Sequence, residues 1–377
     1  MRRVAVGLLK PGMVVARSIF DSEGKCLLGA GVTLTEYYIQ RLKDLGIASV
    51  YIKDELFDSL GEIKEPISGK TRIETIKEVK RNFQALEANR RINTRHVKKV
   101  VDAILDDLMS NREVLINLSD IRTYDDYTFS HSCNVCVLSL LTAITLGYSE
   151  PKLKELGIGA LLHDIGKVQV SKELLNKRGE LSPDEYAEIQ KHAAYGFEIL
   201  RAYDDIPLLS AHIAFQHHEC WDGKGYPRGL NREQIHEYAR IVAVADVYDA
   251  LLADRPYRDA YSINQALAIL NHMSGIHFEP RILAALVSNV AVYPIGSVVM
   301  FNTGEIGVVM DVNRNNPTRP VVRVVFDRRL SRLKIPHEVD LSNLTTVYIS
   351  RVLTEQEIMD LKNGTFVPRH PHNPSHE

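Results

Sequence analysis

The sequence predicts a mainly α-helical protein with a small N-terminal α+β module and a small C-terminal β-barrel-like module. The chain has 377 residues, more than a usual single domain, so two or three domains are expected. Apolar residues at helical spacing dominate residues 92–290. On either side of that region, short β-type runs alternate with turn residues.

The N-terminal module is predicted over residues 1–53. Two β-type runs, Met13 to Phe20 and Ser49 to Lys53, flank a helical pattern from Glu36 to Leu45. A strand, helix and strand of this size indicate a small α+β unit.

Residues 54–91 turn polar and are predicted to form a linker and a connecting helix. Ile76, Val79, Phe83 and Leu86 recur at steps of three and four. This spacing is typical either of a dimer seam or of packing against the chain's own domain. We favour packing, because about two heptads are too few for a coiled coil.

Residues 92–290 are predicted to form one helical domain, residues 291–355 a β-rich module that is a small barrel or sheet, and residues 356–377 a tail. Four β-type runs define the β-rich module: Ser297 to Phe301, Ile306 to Val312, Val321 to Asp327 and Thr345 to Val352.

The composition excludes several classes of partner. A net charge of -2, from 46 basic and 48 acidic residues, gives no overall attraction to nucleic acid or to an anionic membrane. The apolar runs are too short for a predicted membrane span, and the N-terminal segment lacks a secretory cleavage pattern. Four sparse cysteines do not form a disulfide framework. A cytoplasmic location is therefore expected.

The pair His163-Asp164 is the first candidate for chemistry, because it follows the apolar helical pattern Leu153 to Leu162. A carboxylate has two oxygens and can bridge two cations, while the neighbouring imidazole binds one of them. The pair therefore suits a dinuclear metal site.

Five further residues in the helical region are candidate ligands. A single histidine on a helix is usually a core or surface residue, so each one alone indicates little. An aspartate inside a long apolar run is more informative, because burying it is costly unless it is paired or binds a cation. One metal cluster explains all five: His131, His192, His217, His218 and Asp246.

The order of these motifs resembles the HD-GYP family of the HD phosphohydrolase superfamily, over residues 92–290. The matching segments are His131, His163-Asp164-Ile165-Gly166-Lys167, His192, His217-His218-Glu219, Gly223-Lys224-Gly225-Tyr226-Pro227, Asp246 and Arg255-Pro256-Tyr257-Arg258. The resemblance implies a helical HD-type domain that hydrolyses cyclic di-GMP to pGpG, and more slowly to GMP, with a hydroxide that bridges two metal ions.

The resemblance also assigns the ligands. One metal would be held by His131, His163, Asp164 and Asp246, and the other by Asp164, His192, His217 and His218. Asp164 would be the catalytic bridge. Imidazole and carboxylate ligands suit iron, manganese, nickel or zinc, and the resemblance favours iron or manganese. Some family members hold a third metal through a glutamate at the position of Tyr127, so two divalent ions per chain are expected here.

Five residues are candidates for binding the substrate: Lys167, Gly225, Tyr226, Arg255 and Arg258. Lys167 is also a candidate catalytic residue, as a point charge near a phosphate. The two arginines offer forked donors for phosphate oxygens or a guanine edge. Gly225 lets the backbone approach a ligand closely, and Tyr226 could stack on a base.

Two alternative functions stay open from the sequence. One is an HD hydrolase that acts on another cyclic dinucleotide or nucleotide, and the other is a non-catalytic cyclic di-GMP-binding module. All seven ligand positions are filled, which favours catalysis. The resemblance further implies diguanylate cyclase partners at the Gly-Tyr-Pro loop, and a homodimer is an open alternative.

Overall fold

The computed structural model describes residues 2–20, 25–45, 47, 49–54, 66–111, 127–177, 179–253, 261–313 and 316–367. The described helices are α1 Glu36–Asp44, α2 Gly69–Glu87, α3 Thr94–Ser110, α4 Tyr127–Thr145, α5 Glu150–Leu161, α6 Lys172–Leu175, α7 Pro183–Gln190, α8 His192–Arg201, α9 Leu208–Gln216, α10 Glu237–Leu252, α11 Ile263–His272, α12 Pro280–Val287 and α13 Glu355–Lys362. The described strands are β1 Arg2–Ala5, β2 Ile19–Phe20, β3 Cys26–Leu28, β4 Ser49–Ile52, β5 Val298–Phe301, β6 Ile306–Asp311, β7 Val321–Phe326, β8 Arg332–Asp340 and β9 Ile349–Val352.

The N-terminal α+β module consists of two small antiparallel ladders and α1. β1 pairs with β4, and β2 pairs with β3. The hydroxyl of Thr35 caps α1 by accepting a hydrogen bond from the Tyr38 amide, which explains why the helix begins at Glu36. The predicted run Met13 to Phe20 is mostly irregular, and β1 was not predicted.

The helical core is centred on α4. Residues 130–143 of α4 are all buried, because the helix packs against α2, α5, α10 and α12. The segment Thr128–Thr145 departs from the expectation that no apolar run reaches membrane length, because by length and composition it would pass for a span; 78% of it, however, is buried inside the fold. Such burial is typical of a core helix.

Helix α2 packs into the same core. Ile76, Val79 and Phe83 are buried there, and the Phe83 ring meets that of Phe129 edge-on at 5.4 Å. Packing against the chain's own domain therefore accounts for the apolar stripe. The core also includes Ile67, so it begins before the predicted boundary at residue 92.

The C-terminal module is an antiparallel sheet in the strand order β8-β7-β6-β5-β9. In the part of the chain that the structure describes, β8 and β9 are edges, so the sheet alternative fits better than a closed barrel. β8 was not predicted. The expected tail from residue 356 is wrong in its first part, because α13 forms there with a Thr354 and Glu357 capping box and buries Ile358 and Leu361.

Charged side chains join the N-terminal module to α13. Arg2 and Asp54 form a buried ion pair at 2.5 Å. Glu355 also pairs with Arg2, and Lys362 pairs with Asp54. The two terminal modules are therefore in contact across these four groups.

Candidate metal centre

The predicted ligands come from five separate parts of the helical core. His131 lies in α4, His163 and Asp164 follow α5, and Asp246 lies in α10. His192 is the first residue of α8. His217 and His218 directly follow α9, which ends at Gln216, so they lie at a helix end. Packing of these helices brings all seven side chains together.

Asp164 lies between two groups of histidines. Its Oδ1 is 3.5 Å from Nε2 of His192 and 3.8 Å from Nε2 of His217, whereas its Oδ2 is 3.4 Å from Nε2 of His163. Ligand atoms lie within 4.8 Å of one another in each of two sets: Asp164, His192, His217 and His218, and His131, His163 and Asp164. One carboxylate thus faces both sets, each through a different oxygen.

Three histidines are oriented by their own backbone. Nδ1 of each ring lies near the carbonyl oxygen three residues earlier, and a carbonyl only accepts, so Nδ1 carries the proton. The pairs are His163 with Ala160 at 2.8 Å, His192 with Ile189 at 2.7 Å, and His217 with Ala214 at 3.0 Å. This tautomer leaves the Nε2 lone pair aimed at the centre.

Nε2 of His163 supports a bound cation. The atom is buried and has no hydrogen-bond partner among the residues that the structure describes. A buried acceptor without a donor is costly, and a metal ion would satisfy it. The residues present therefore fit the divalent metals that the sequence predicts.

His131 is held differently from the other histidines. Its Nδ1 is 2.7 Å from Oδ2 of Asp249, and its Nε2 is 3.0 Å from Oδ1 of Asp246. Burial disfavours the charged imidazolium, but the hydrogen bonds to the two carboxylates outweigh burial and raise the pKa of His131 to about 9. Asp249 was missed from the sequence. Its signal was available, because it lies one helical turn after Asp246 in the same apolar helix.

We call His131, His163 and Asp246 the His131 half of the centre, and His192, His217 and His218 the His192 half. Burial lowers the pKa values of His192, His217 and His218, so these rings are neutral near pH 7. The two halves therefore differ in protonation.

Asp164 remains charged although it is buried. Burial acts to raise its pKa, but the nearby Lys167 ammonium outweighs burial and holds the pKa well below its usual range. The Lys167 ammonium donates a hydrogen bond to Oδ2 of Asp164. Lys167, a predicted catalytic and substrate-binding residue, thus lies directly at the centre.

Asp246 lies at the edge of the centre. Besides its contact with His131, its Oδ2 is 4.0 Å from Nδ1 of His218. It lies outside the two compact sets around Asp164. The carboxylate therefore faces a histidine from each half.

The Gly-Tyr-Pro loop folds back over His218. The Tyr226 amide donates to the His218 carbonyl at 3.1 Å, and the two rings stack at 4.7 Å. A Cβ on Gly225 would lie 2.3 Å from the Cys220 nitrogen, so only glycine fits this close approach. The buried Glu219 carboxylate, missed from the sequence, accepts two backbone amide bonds from the loop at 2.9 Å each.

Some predicted residues lie outside the described part of the chain. Arg255 and Arg258 fall in the segment 254–260. Tyr127 begins α4, but its side chain is not among those described. The roles inferred for these residues stay predictions.

Comparison with known proteins agrees with this geometry. Residues 110–282 match the HD domain family, and residues 298–361 match a family described as a KOW domain associated with HD domain. The cyclic di-GMP phosphodiesterase PA4108 of Pseudomonas aeruginosa is 36% identical over 257 residues, which cover 68% of this chain and 62% of that protein.

Two further relatives match the helical region. A cyclic di-GMP phosphodiesterase of Thermotoga maritima is 40% identical, over 46% of this chain and 47% of that protein. The 3'3'-cGAMP-specific phosphodiesterase 3 of Vibrio cholerae is 44% identical, over 42% of this chain and 35% of that protein. The chain spans less than two thirds of the length of each of these three relatives. By its matched region and its His-Asp, His-His-Glu and Gly-Tyr-Pro motifs, the chain belongs to the HD domain family and to its HD-GYP group.

Proposed function

We propose that this protein is a metal-dependent phosphodiesterase that hydrolyses cyclic di-GMP to pGpG, with slower cleavage to GMP. The position of Asp164 carries the proposal, because its two oxygens face two different sets of histidines. A carboxylate that can bridge two cations is the feature that a two-metal hydrolase requires. The relatives named as cyclic di-GMP phosphodiesterases support the choice of substrate.

In this proposal, His131, His163, Asp164 and Asp246 would hold one ion, and Asp164, His192, His217 and His218 the other. Two bound divalent ions would supply a nucleophilic water near neutral pH and neutralise charge on the phosphorus. Iron or manganese is favoured, and nickel or zinc also suits this ligand set.

The protein's own groups prepare the site for an anionic substrate. The backbone carbonyls hold three imidazoles with Nε2 inward, so little reorganisation is needed on binding. Lys167 is 29% exposed and could turn from Asp164 to a phosphate oxygen. Gly225 and Tyr226 place a backbone turn and an aromatic ring beside His218, where a guanine could stack.

A second candidate substrate is 3'3'-cGAMP. The relative from Vibrio cholerae that is 44% identical is specific for this dinucleotide. The metal ligands would serve either substrate, since both contain the same phosphodiester linkage. Discrimination would then depend on contacts to the base, for which Arg255 and Arg258 are the candidates.

A cytoplasmic location is part of the proposal. All four cysteines are free, and burial raises the pKa of the Cys133 thiol to about 11, so this thiol stays protonated and packs as a small apolar group. Diguanylate cyclase partners and a homodimer stay predictions from the resemblance.

The proposal is tested by purifying the protein without oxygen, measuring its bound metals, and comparing turnover of cyclic di-GMP, 3'3'-cGAMP and cyclic di-AMP. We expect two divalent ions per chain and fastest turnover of cyclic di-GMP, with pGpG accumulating first. Faster turnover of 3'3'-cGAMP would favour the second candidate. A protein that binds cyclic di-GMP with metal present but releases no linear product would be a binding module instead.

A further inference from the structure

Three buried polar side chains form a chain of hydrogen bonds behind His131. Arg72 of α2 donates through Nη1 to Oδ1 of Asn134 in α4 at 2.8 Å. Asn134 donates through Nδ2 to Oδ1 of Asp249 in α10 at 2.9 Å. The three residues are 5%, 1% and 0% exposed, and the chain ends at His131 through Oδ2 of Asp249. It therefore connects α2 with a candidate metal ligand.

The chemistry of these groups allows only one direction of donation along this series of hydrogen bonds. A guanidinium only donates, and a carboxylate only accepts, so the Asn134 amide has a single orientation that satisfies both neighbours. Asn134 then occupies Oδ1 of Asp249, and Oδ2 is the oxygen that meets Nδ1 of His131. Because the carboxylate accepts, this contact keeps a proton on Nδ1, so Nε2, which faces Asp246, is the ring nitrogen that a cation can bind.

We propose that Arg72, Asn134 and Asp249 are positioning residues that fix the ring orientation and tautomer of His131 for binding a cation. The inference rests on the proposed function and adds α2 to the residues that determine metal affinity. Groups that hydrogen-bond a ligating histidine typically change metal affinity by about 10- to 100-fold when removed.

The other histidines with assigned Nδ1 partners do not share this dependence. Nδ1 of His163, of His192 and of His217 is held by a carbonyl within three residues in the same stretch of chain. Among these four, only His131 has an Nδ1 partner that is distant in the sequence, 118 positions away on α10. A substitution at Arg72 should therefore lower the metal affinity of the His131 half and leave the metal affinity of the His192 half unchanged.

The experiment is a Mn²⁺ titration of the metal-depleted full chain, in which free Mn²⁺ is measured by electron paramagnetic resonance. Arg72→Met removes the donor, and Arg72→Lys keeps a cation that can reach Asn134. Because Arg72 acts on His131 through Asn134 and Asp249, we expect up to about a tenfold loss of affinity at one of two sites in Arg72→Met and a smaller loss in Arg72→Lys. Val79→Ala removes buried packing from the same helix and should lower thermal stability without changing either affinity.

Combining Arg72→Met with a ligand variant assigns the affected half. In the double variant with His192→Ala, the remaining site is the His131 half, and its Mn²⁺ affinity should be lowered. In the double variant with His131→Ala, the remaining site is the His192 half, and its affinity should be unchanged. If Arg72→Met fails to fold, Asp249→Asn, which keeps the side-chain size, should show the same selective loss. Unchanged affinity of the His131 half in folded Arg72→Met and Asp249→Asn, or an equal loss in Val79→Ala, would overturn the inference. An unaltered chain that binds no Mn²⁺ would contradict the metal centre itself.

Discussion

The two histidines that give the halves of the candidate metal centre their names, His131 and His192, are held by different kinds of contact. In the His192 half, Nδ1 of His192 and of His217 is held by a carbonyl of the preceding turn. In the His131 half, His131 lies between two carboxylates of α10. Local backbone contacts orient a ring without adding charge, whereas a carboxylate from another helix adds a negative charge and raises the pKa of the ring. The halves should therefore respond differently to pH and to distant substitutions.

The largest effect is expected from a substitution that removes the Asp164 carboxylate, which both halves share. Asp164→Ala should abolish turnover, with a loss of about a thousandfold or more, because both cations would lose a ligand at once. Turnover is measured with saturating Mn²⁺. Asp204→Ala, an exposed carboxylate in the same domain, is the matched control and should keep normal turnover. Near-normal turnover in folded Asp164→Ala would remove the dinuclear proposal.

A smaller effect is expected from substituting the two arginines that should contact the substrate but should not contact either half of the metal centre. Arg255→Ala and Arg258→Ala should each weaken the apparent affinity for cyclic di-GMP about ten- to a hundredfold, since a charge-assisted hydrogen bond contributes about 1.5–3 kcal/mol. Metal content should stay unchanged. Loss of metal in either variant would assign that arginine to the centre instead.

The pH dependence of metal binding should separate the halves directly. Below pH about 9 the His131 ring carries a proton that a cation at Nε2 must displace, so affinity of the His131 half should rise about tenfold per unit between about pH 7 and 8. In the same range the lowered pKa values of His192, His217 and His218 leave these rings neutral, so affinity of the His192 half should change little.

Single-half variants test this difference. Mn²⁺ titrations of His192→Ala report the His131 half, and those of His131→Ala report the His192 half. The raised pKa of His131 sets the direction of this pH dependence. Protonation of His131 stabilises the metal-free fold fully below pH about 6.5, and this contribution is lost as the pH rises through about 9. Equal pH slopes in the two variants would contradict the comparison.

The smallest effect concerns the loop over His218. Gly225→Ala should lower the free energy of unfolding by about 1–3 kcal/mol, because the new Cβ would meet backbone atoms of Cys220, His218 and Glu219. Gly29→Ala has no atom within 4 Å of the added Cβ and should be within about 0.5 kcal/mol of the unaltered protein. Equal urea midpoints for the two variants would show that the loop is not closely packed.

The sequence allowed the candidate ligands and the mainly α fold to be predicted, because both leave local signals. His163-Asp164 follows an apolar helix, and Asp246 interrupts another, so each stands out in the sequence. The structure brings these residues together as predicted. Helix α2 was placed in the correct region by its spacing, but its contribution to the core depends on tertiary packing.

What was missed depends on contacts between distant residues or on weak patterns. β8 is mostly exposed, and Pro336 and His337 interrupt the alternation of Leu333, Ile335 and Val339 with polar residues, so the run does not stand out as a strand. The partnership of Asp249 with His131 spans 118 positions and requires the packing of α4 on α10. Glu219 belongs to the His-His-Glu motif, but the motif does not reveal the two hydrogen bonds that its carboxylate accepts from the amides of Arg228 and Leu230.

The central claim is that Asp164 joins two half-sites into one dinuclear centre. Counting bound Mn²⁺ in the unaltered chain, His131→Ala, His192→Ala and Asp164→Ala tests it most directly. We predict two tightly bound ions in the unaltered chain, one in each histidine variant, and weakened binding at both sites in Asp164→Ala, because each oxygen of this carboxylate faces a different half. Two ions bound with unchanged affinity in folded Asp164→Ala would contradict the claim.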